Sequence, residues 1–187
     1  PHELAVEDFL PRQKADSTYF RRLGFRVFET RGDVAVEVDP DSVDWREITA
    51  GTFPYRLRQD PGPLNFLGDA KFMFPNPYDV YLHDTPAREQ FREPVRNLSS
   101  GCIRIEDPRS LALWLLRGDA VWTAERIDRA MSGDVETTVV LRRRVPVHVL
   151  YWTAFVDDAG ILQFRPDVYG RDARLAAALE APLPAAP

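Results

Sequence analysis

The apolar positions begin with helical spacing and then tighten into alternation. Leu4, Ala5, Phe9 and Leu10 fall on or near one face of a short helix, and Asp16-Ser17-Thr18 can cap a second through Tyr19, Phe20 and Leu23, which Gly24 stops. Phe25 to Glu29 and Val34 to Val38 predict a hairpin about Thr30-Arg31-Gly32-Asp33. Phe53, Tyr55 and Leu57 alternate with Arg56 and Arg58, the mark of a half-buried strand. Lys71 to Phe74 and Asp79 to Leu82 are two more strands, with Pro75 and Pro77 kept to the connection, where no ladder bond is lost. Pro86 opens a short helix over 87–93, and Pro94 ends it. Asp107 and Pro108 start a helix through Leu111, Leu113, Leu115 and Leu116, and Thr123 starts another to Met131. Strands are predicted over 137–141, 145–155 and 161–164, followed by a closing helix over 172–179 and a frayed tail from Ala181.

This order predicts an α+β class, a mostly β core with peripheral helices. With 187 residues and 44% hydrophobic content the chain can bury one real core, so residues 1–50 read as a packing or covering segment and 51–187 as the main body of one composite domain. A net charge of −5 argues against a nucleic-acid binder, because the cations are interspersed with acids and form no basic stripe. No apolar run reaches the roughly 18–20 residues of a membrane helix. The chain opens on Pro1 and shows no signal peptide, the expected look of a processed product or an excised fragment.

The chemistry gathers in two short runs. His83-Asp84-Thr85-Pro86 ends an apolar stretch, and Ser99-Ser100-Gly101-Cys102-Ile103-Arg104 holds the only cysteine, 19 positions after the histidine. A lone cysteine in an arbitrary domain is more often a small buried hydrophobe than a nucleophile. Here a glycine and small polar residues precede it and a strand-like run follows. Cys102 is therefore the candidate nucleophile and His83 its base. Gly101 permits a tight turn, so that backbone N–H groups of Ser100, Gly101 and Cys102 can converge on an oxyanion, with Ser99 as turn former. The second ring nitrogen of His83 needs an acceptor, either the Asp84 side chain or a backbone carbonyl after His83. Arg104 would face the same side as the sulfur and suits a substrate carboxylate or, alternatively, an ion pair. Tyr81 shares the His83 face and either lines a groove or packs as a core aromatic. Three scattered histidines and one thiol lack metal-ligand spacing, and no cofactor is expected.

These two runs resemble the active-site signature of the L,D-transpeptidases, the YkuD-type catalytic domain, with Ser100 where most members carry a second histidine. Ser-Ser-Gly-Cys, together with the stretches Arg58 to Asn65 and Lys71 to Asn76, is similar to the YcbB-like periplasmic branch, and Tyr151 to Ala154 and Asp167 to Gly170 extend the likeness. The resemblance implies a YkuD-like β-sandwich core over 51–187 and residues 1–50 as a cap-like subdomain over the substrate groove; family members have further core strands upstream of the cap, which here either lie on a removed segment or are lacking from a smaller sheet. It implies a cysteine acyltransferase of the periplasm or cell envelope acting on peptidoglycan stem peptides, donor and acceptor. The thiol would attack the bond between an L-centre diamino acid and the terminal D-Ala and pass the acyl group to another stem's side-chain amine, a 3-3 cross-link, and carbapenems would acylate it. An L,D-carboxypeptidase using water, and a non-catalytic cell-wall binding module, remain the alternatives.

Overall fold

The computed structural model describes residues 2–99 and 101–180. It combines three small sheets with several helices, a mixed α+β arrangement. The chain divides into two compact units, residues 1–144 and 145–187.

The first unit opens with a helical run longer than its sequence pattern suggests: α1 (His2–Leu4), a π-helical turn (Ala5–Phe9) and α2 (Leu10–Ala15). Pro11 explains the wide turn. Its ring has no N–H and would collide with a carbonyl four residues earlier, and widening the preceding turn relieves that contact. Asp16 then accepts from the Thr18 N–H at 3.0 Å and leads into α3 (Tyr19–Arg22). The chain turns at Gly24, whose φ of 67° favours glycine. β1 (Phe25–Arg31) and β2 (Val34–Val38) form the expected hairpin, Val27 opposite Val38. The strand read over 53–58 is β3 (Tyr55–Gln59), and it pairs antiparallel with the other edge of β1. Phe20, Phe25, Val27, Trp45 and Phe53 are buried together between this sheet and the helices. Trp45 stands edge-on to Phe20 at 5.1 Å, and its indole N–H donates to the Pro40 carbonyl at 2.7 Å, so the ring is buried with its polar atom satisfied.

A second sheet follows, in the order β4 (Lys71–Phe72), β5 (Leu82–His83), β6 (Ile103–Arg104). β4 and β5 are antiparallel, while β5 and β6 are parallel, joined through a 3₁₀ segment at Arg88–Arg92. Asp79 has φ of 53°, which shortens the strand expected over 79–82 from its leading end. α4 (Pro108–Leu115) and α5 (Ala124–Met131) begin where the sequence predicts, capped by Asp107 and Thr123 side chains that accept from Ser110 and Arg126 N–H groups.

In the second unit, β7 (Ala154–Val156) and β8 (Leu162–Phe164) form a hairpin whose turn is tied by Asp157, which accepts from the N–H groups of Ala159 at 3.0 Å and Ile161 at 2.9 Å. α6 (Asp172–Glu180) closes the described chain, its first N–H received by Asp167 at 2.8 Å. The strands expected over 137–141 and 145–153 do not form. Alternation marks which residues suit a pleated surface, but a strand also needs a neighbour for its N–H and C=O groups. Of these residues only Thr153 has one among those described, its carbonyl accepting from the Arg165 N–H at 2.7 Å, and Val140, Leu150 and Trp152 stay exposed. The tail from Ala181 lies outside the described residues.

Candidate active site

The second sheet sets Tyr81, His83, Cys102 and Arg104 on one face. Register sets Lys71 of β4 directly opposite His83 on one side and Arg104 of β6 opposite it on the other. The ladder continues past the strand ends, with the Ile103 N–H on the Tyr81 carbonyl at 3.1 Å and the Ile105 N–H on the His83 carbonyl at 2.8 Å. Cys102 therefore stands beside Tyr81, one position ahead of β6, and is half-buried. The Tyr81 side chain neighbours that of Cys102, and its ring stands edge-on to the His83 ring at 5.9 Å between centroids. Burial and the neighbouring Cys102 push the Tyr81 hydroxyl up to about 12, so it keeps its proton near neutral pH.

His83 is buried at the end of β5, and its Nδ1 bonds the Asp84 backbone carbonyl. A carbonyl oxygen only accepts, so Nδ1 carries the hydrogen and Nε2 keeps its lone pair. Of the two acceptors left open by the sequence, the ring has taken the carbonyl. The Asp84 carboxylate faces elsewhere: Oδ1 holds the Arg88 guanidinium at 2.7 Å and Oδ2 receives the Asp69 N–H at 2.9 Å. Burial, helped by the charges of Arg104 and Lys71, lowers the His83 pKa below its ordinary value, against the opposing pull of the Asp84 carbonyl and carboxylate.

The turn before the sulfur is built by Ser99. Its hydroxyl donates to the Cys102 carbonyl and accepts from the Gly101 N–H at 3.1 Å. Gly101 has φ of 136°, and a Cβ there would meet Val80 at 3.3 Å, so the turn excludes a side chain. Ser100 lies outside the described residues. Arg104 is anchored by the Gln90 side-chain oxygen at 2.6 Å and, among the described residues, forms no ion pair.

Sequence reasoning missed the parts that depend on register. Lys71 sits with its ammonium 3.8 Å from the Tyr81 ring centroid, and only the β4–β5 pairing shows that it flanks His83. Gln90, Arg88 and Gly68 were likewise unmarked. A Cβ on Gly68 would lie 2.3 Å from Asp84 Oδ2, so that glycine makes room for the buried carboxylate. An open groove of about 510 Å³ leads away from Lys71 and Tyr81 past Met73, Asn76, Asp79 and Val80. The Asn76 side chain bridges the groove wall, donating to the Phe74 and Val80 carbonyls at 2.9 and 2.8 Å. Among the described residues no group of histidine, cysteine and acidic side chains could hold a metal ion, and no helix is long and apolar enough to cross a membrane.

The chain is similar to a Haemophilus influenzae protein named "Putative L,D-transpeptidase", 39% identical over 175 residues, which cover 94% of this chain and 34% of that protein. The chain thus spans about a third of the length of the curated relative it matches. Residues 8–123, which contain His83, Cys102 and the whole of the second sheet, match the model of the L,D-transpeptidase catalytic domain, YkuD. On these grounds the chain belongs to the YkuD family of L,D-transpeptidase catalytic domains.

Proposed function

We propose that this chain carries a cysteine-dependent L,D-transpeptidase activity that forms 3-3 cross-links between peptidoglycan stems at the cell envelope, through a thioester on Cys102. The observation that supports it best is the register of the second sheet, which sets the half-buried Cys102 beside Tyr81 and on the same face as His83, a buried imidazole oriented by its Nδ1 bond to the Asp84 carbonyl.

His83 Nε2 takes the thiol proton, and the Tyr81 hydroxyl stabilises the resulting thiolate by donating to it. The sulfur attacks the carbonyl between the L-centre diamino acid and D-Ala, forming a C–S bond. N–H groups of Cys102 and Gly101 hold the oxyanion, Gly101 exchanging its Ser99 partner for the developing charge. The C–N bond breaks as the His83 imidazolium returns its proton to the leaving amine. An amine from a second stem then attacks the thioester, the C–S electron pair goes back to sulfur, and His83 accepts the amine proton. Arg104, held by Gln90, offers a fork for a donor carboxylate.

Intact-mass spectrometry with a carbapenem tests the nucleophile. An adduct is expected for the wild type and for neither Cys102→Ala nor His83→Ala, and a wild type that stays unmodified while its thiol alkylates no faster than free cysteine would point to a binding module. Products from isolated muropeptides test the acceptor: cross-linked dimers are expected, and free tripeptide alone would mark a carboxypeptidase.

A further inference from the structure

Each polar group of Asp84 has a fixed partner. Its N–H donates to the Ala70 carbonyl at 2.8 Å, Oδ2 receives the Asp69 N–H at 2.9 Å and Oδ1 receives the Arg88 guanidinium at 2.7 Å. Its own carbonyl is the acceptor for His83 Nδ1. The next residue is pinned as well, since Thr85 is buried and its hydroxyl oxygen accepts the Ala87 N–H at 3.2 Å. The peptide between Asp84 and Thr85 is thus held on both sides, and with it the direction of the carbonyl that meets the imidazole. Arg88 supplies the cation of this cluster, and its second nitrogen donates to the Glu106 carbonyl, just beyond β6. It ties the end of β5, which carries His83, to the end of β6, which follows Cys102. The Asp84 side chain is 3% exposed, so a carboxylate deprived of that cation is costly to keep in place.

We propose that Arg88 is a positioning residue for the base: by gripping the Asp84 carboxylate and the Glu106 carbonyl it fixes the Asp84 carbonyl against His83 Nδ1, which keeps the hydrogen on Nδ1 and the lone pair on Nε2. The assignment rests on the reading of His83 as the base for Cys102. Without the guanidinium the carboxylate retains only the Asp69 N–H, and the Asp84–Thr85 peptide gains freedom to turn. The ring then also populates the tautomer with its hydrogen on Nε2, which has no lone pair there to take the thiol proton. The charged groups that act on the ring, Lys71 from β4, Arg104 from β6 and Asp84 itself, stay in the chain when Arg88 is replaced, as do its neighbours Tyr81 and Cys102. A change at the ring therefore reports its orientation.

The test has two readouts on the folded chain, both taken well below the thermal midpoint. One is the nitrogen NMR shifts of the His83 ring, which report the tautomer. The other is the part of the Cys102 alkylation rate with iodoacetamide that His83→Gln abolishes. The wild type is expected to show a protonated Nδ1 and a bare Nε2. Arg88→Gln is expected to mix the two tautomers and to lower the His83-dependent rate by about tenfold, the scale of one hydrogen bond. Arg88→Lys, which keeps the cation, is expected to retain most of that rate. Asp84→Asn, whose amide turns an N–H toward Arg88, is expected to behave as Arg88→Gln and carries the test if that variant does not fold. A folded Arg88→Gln or Asp84→Asn with the wild-type tautomer and rate, whatever its thermal midpoint, overturns the positioning role and leaves the acyl-transfer reading standing. A wild type whose alkylation does not depend on His83 overturns the base and the positioning role together.

Discussion

Burial and the flanking cations Arg104 and Lys71 disfavour the His83 imidazolium, so the ring stays neutral below the pH at which a free histidine gains its proton. Alkylation of Cys102 by iodoacetamide, followed against pH, should keep its imidazole-dependent rate to below 6.5, the ordinary histidine value. The sign for stability follows from the same direction. As pH falls through 6.5 the unfolded chain binds a proton that the folded ring still refuses, so this contribution is whole above 6.5 and lost progressively toward the lowered value. Urea midpoints should fall between pH 7.5 and 5.5 by less in His83→Gln, which has no such proton to take up. At Gly68 the argument is steric. Gly68→Ala forces a methyl toward Asp84 at a φ of 58° and should cost about 3 kcal/mol, a drop in Tm of roughly 6–12 °C in a calorimetric scan. Cys102 and His83 stand out in the sequence as candidates because chemistry selects their residue types. Lys71 does not, because an exposed lysine on a strand looks the same whether it faces a histidine or water.

Between elements, caps carry more information than surface charges. Asp107 and Thr123 announce α4 and α5 because each start needs an acceptor for a free N–H, and both side chains supply it. Asp107→Ala should lower the thermal midpoint, because the Ser110 N–H loses its acceptor. Arg109 joins the two helices by paired bonds to Asp128 at 2.6 and 2.9 Å, yet both side chains are about half exposed, so Arg109→Ala should cost less than the cap despite the better geometry. The hairpin of β1 and β2 was legible from its turn and alternation. The segments 137–141 and 145–153 were misread by the same logic, since pairing is a property of two segments and periodicity belongs to one. The β5–β6 ladder was hidden for a related reason: its parallel register spans the loop between His83 and Cys102 and leaves no local mark.

Across the whole molecule, the two compact units meet in sequence at Arg144 and Val145, after three consecutive arginines. Arg142 reaches Asp119 at 3.4 Å but is 80% exposed, and no regular element is described between α5 and β7. Brief trypsin digestion should therefore cut first at Arg142 to Arg144, with mass spectrometry reporting the fragments; initial cleavage within β1 or β3 would contradict this layout. The family was legible from two short runs, whereas the layout of charges about the thiol required the sheet. The buried apolar cluster belongs to the leading segment, around Phe20, Val27 and Trp45, while the buried residues at the end of β5 and just beyond it are polar, His83, Asp84 and Thr85, with Pro108 and Ile127 buried in the helices that follow. Cohesion and chemistry thus occupy separate addresses in one chain. In deuterated buffer the amides of β1 should outlast those of Ile103 and Ile105, so the β5–β6 ladder breathes while the larger sheet stays shut, and selection is free to retune the candidate site without first renegotiating the fold.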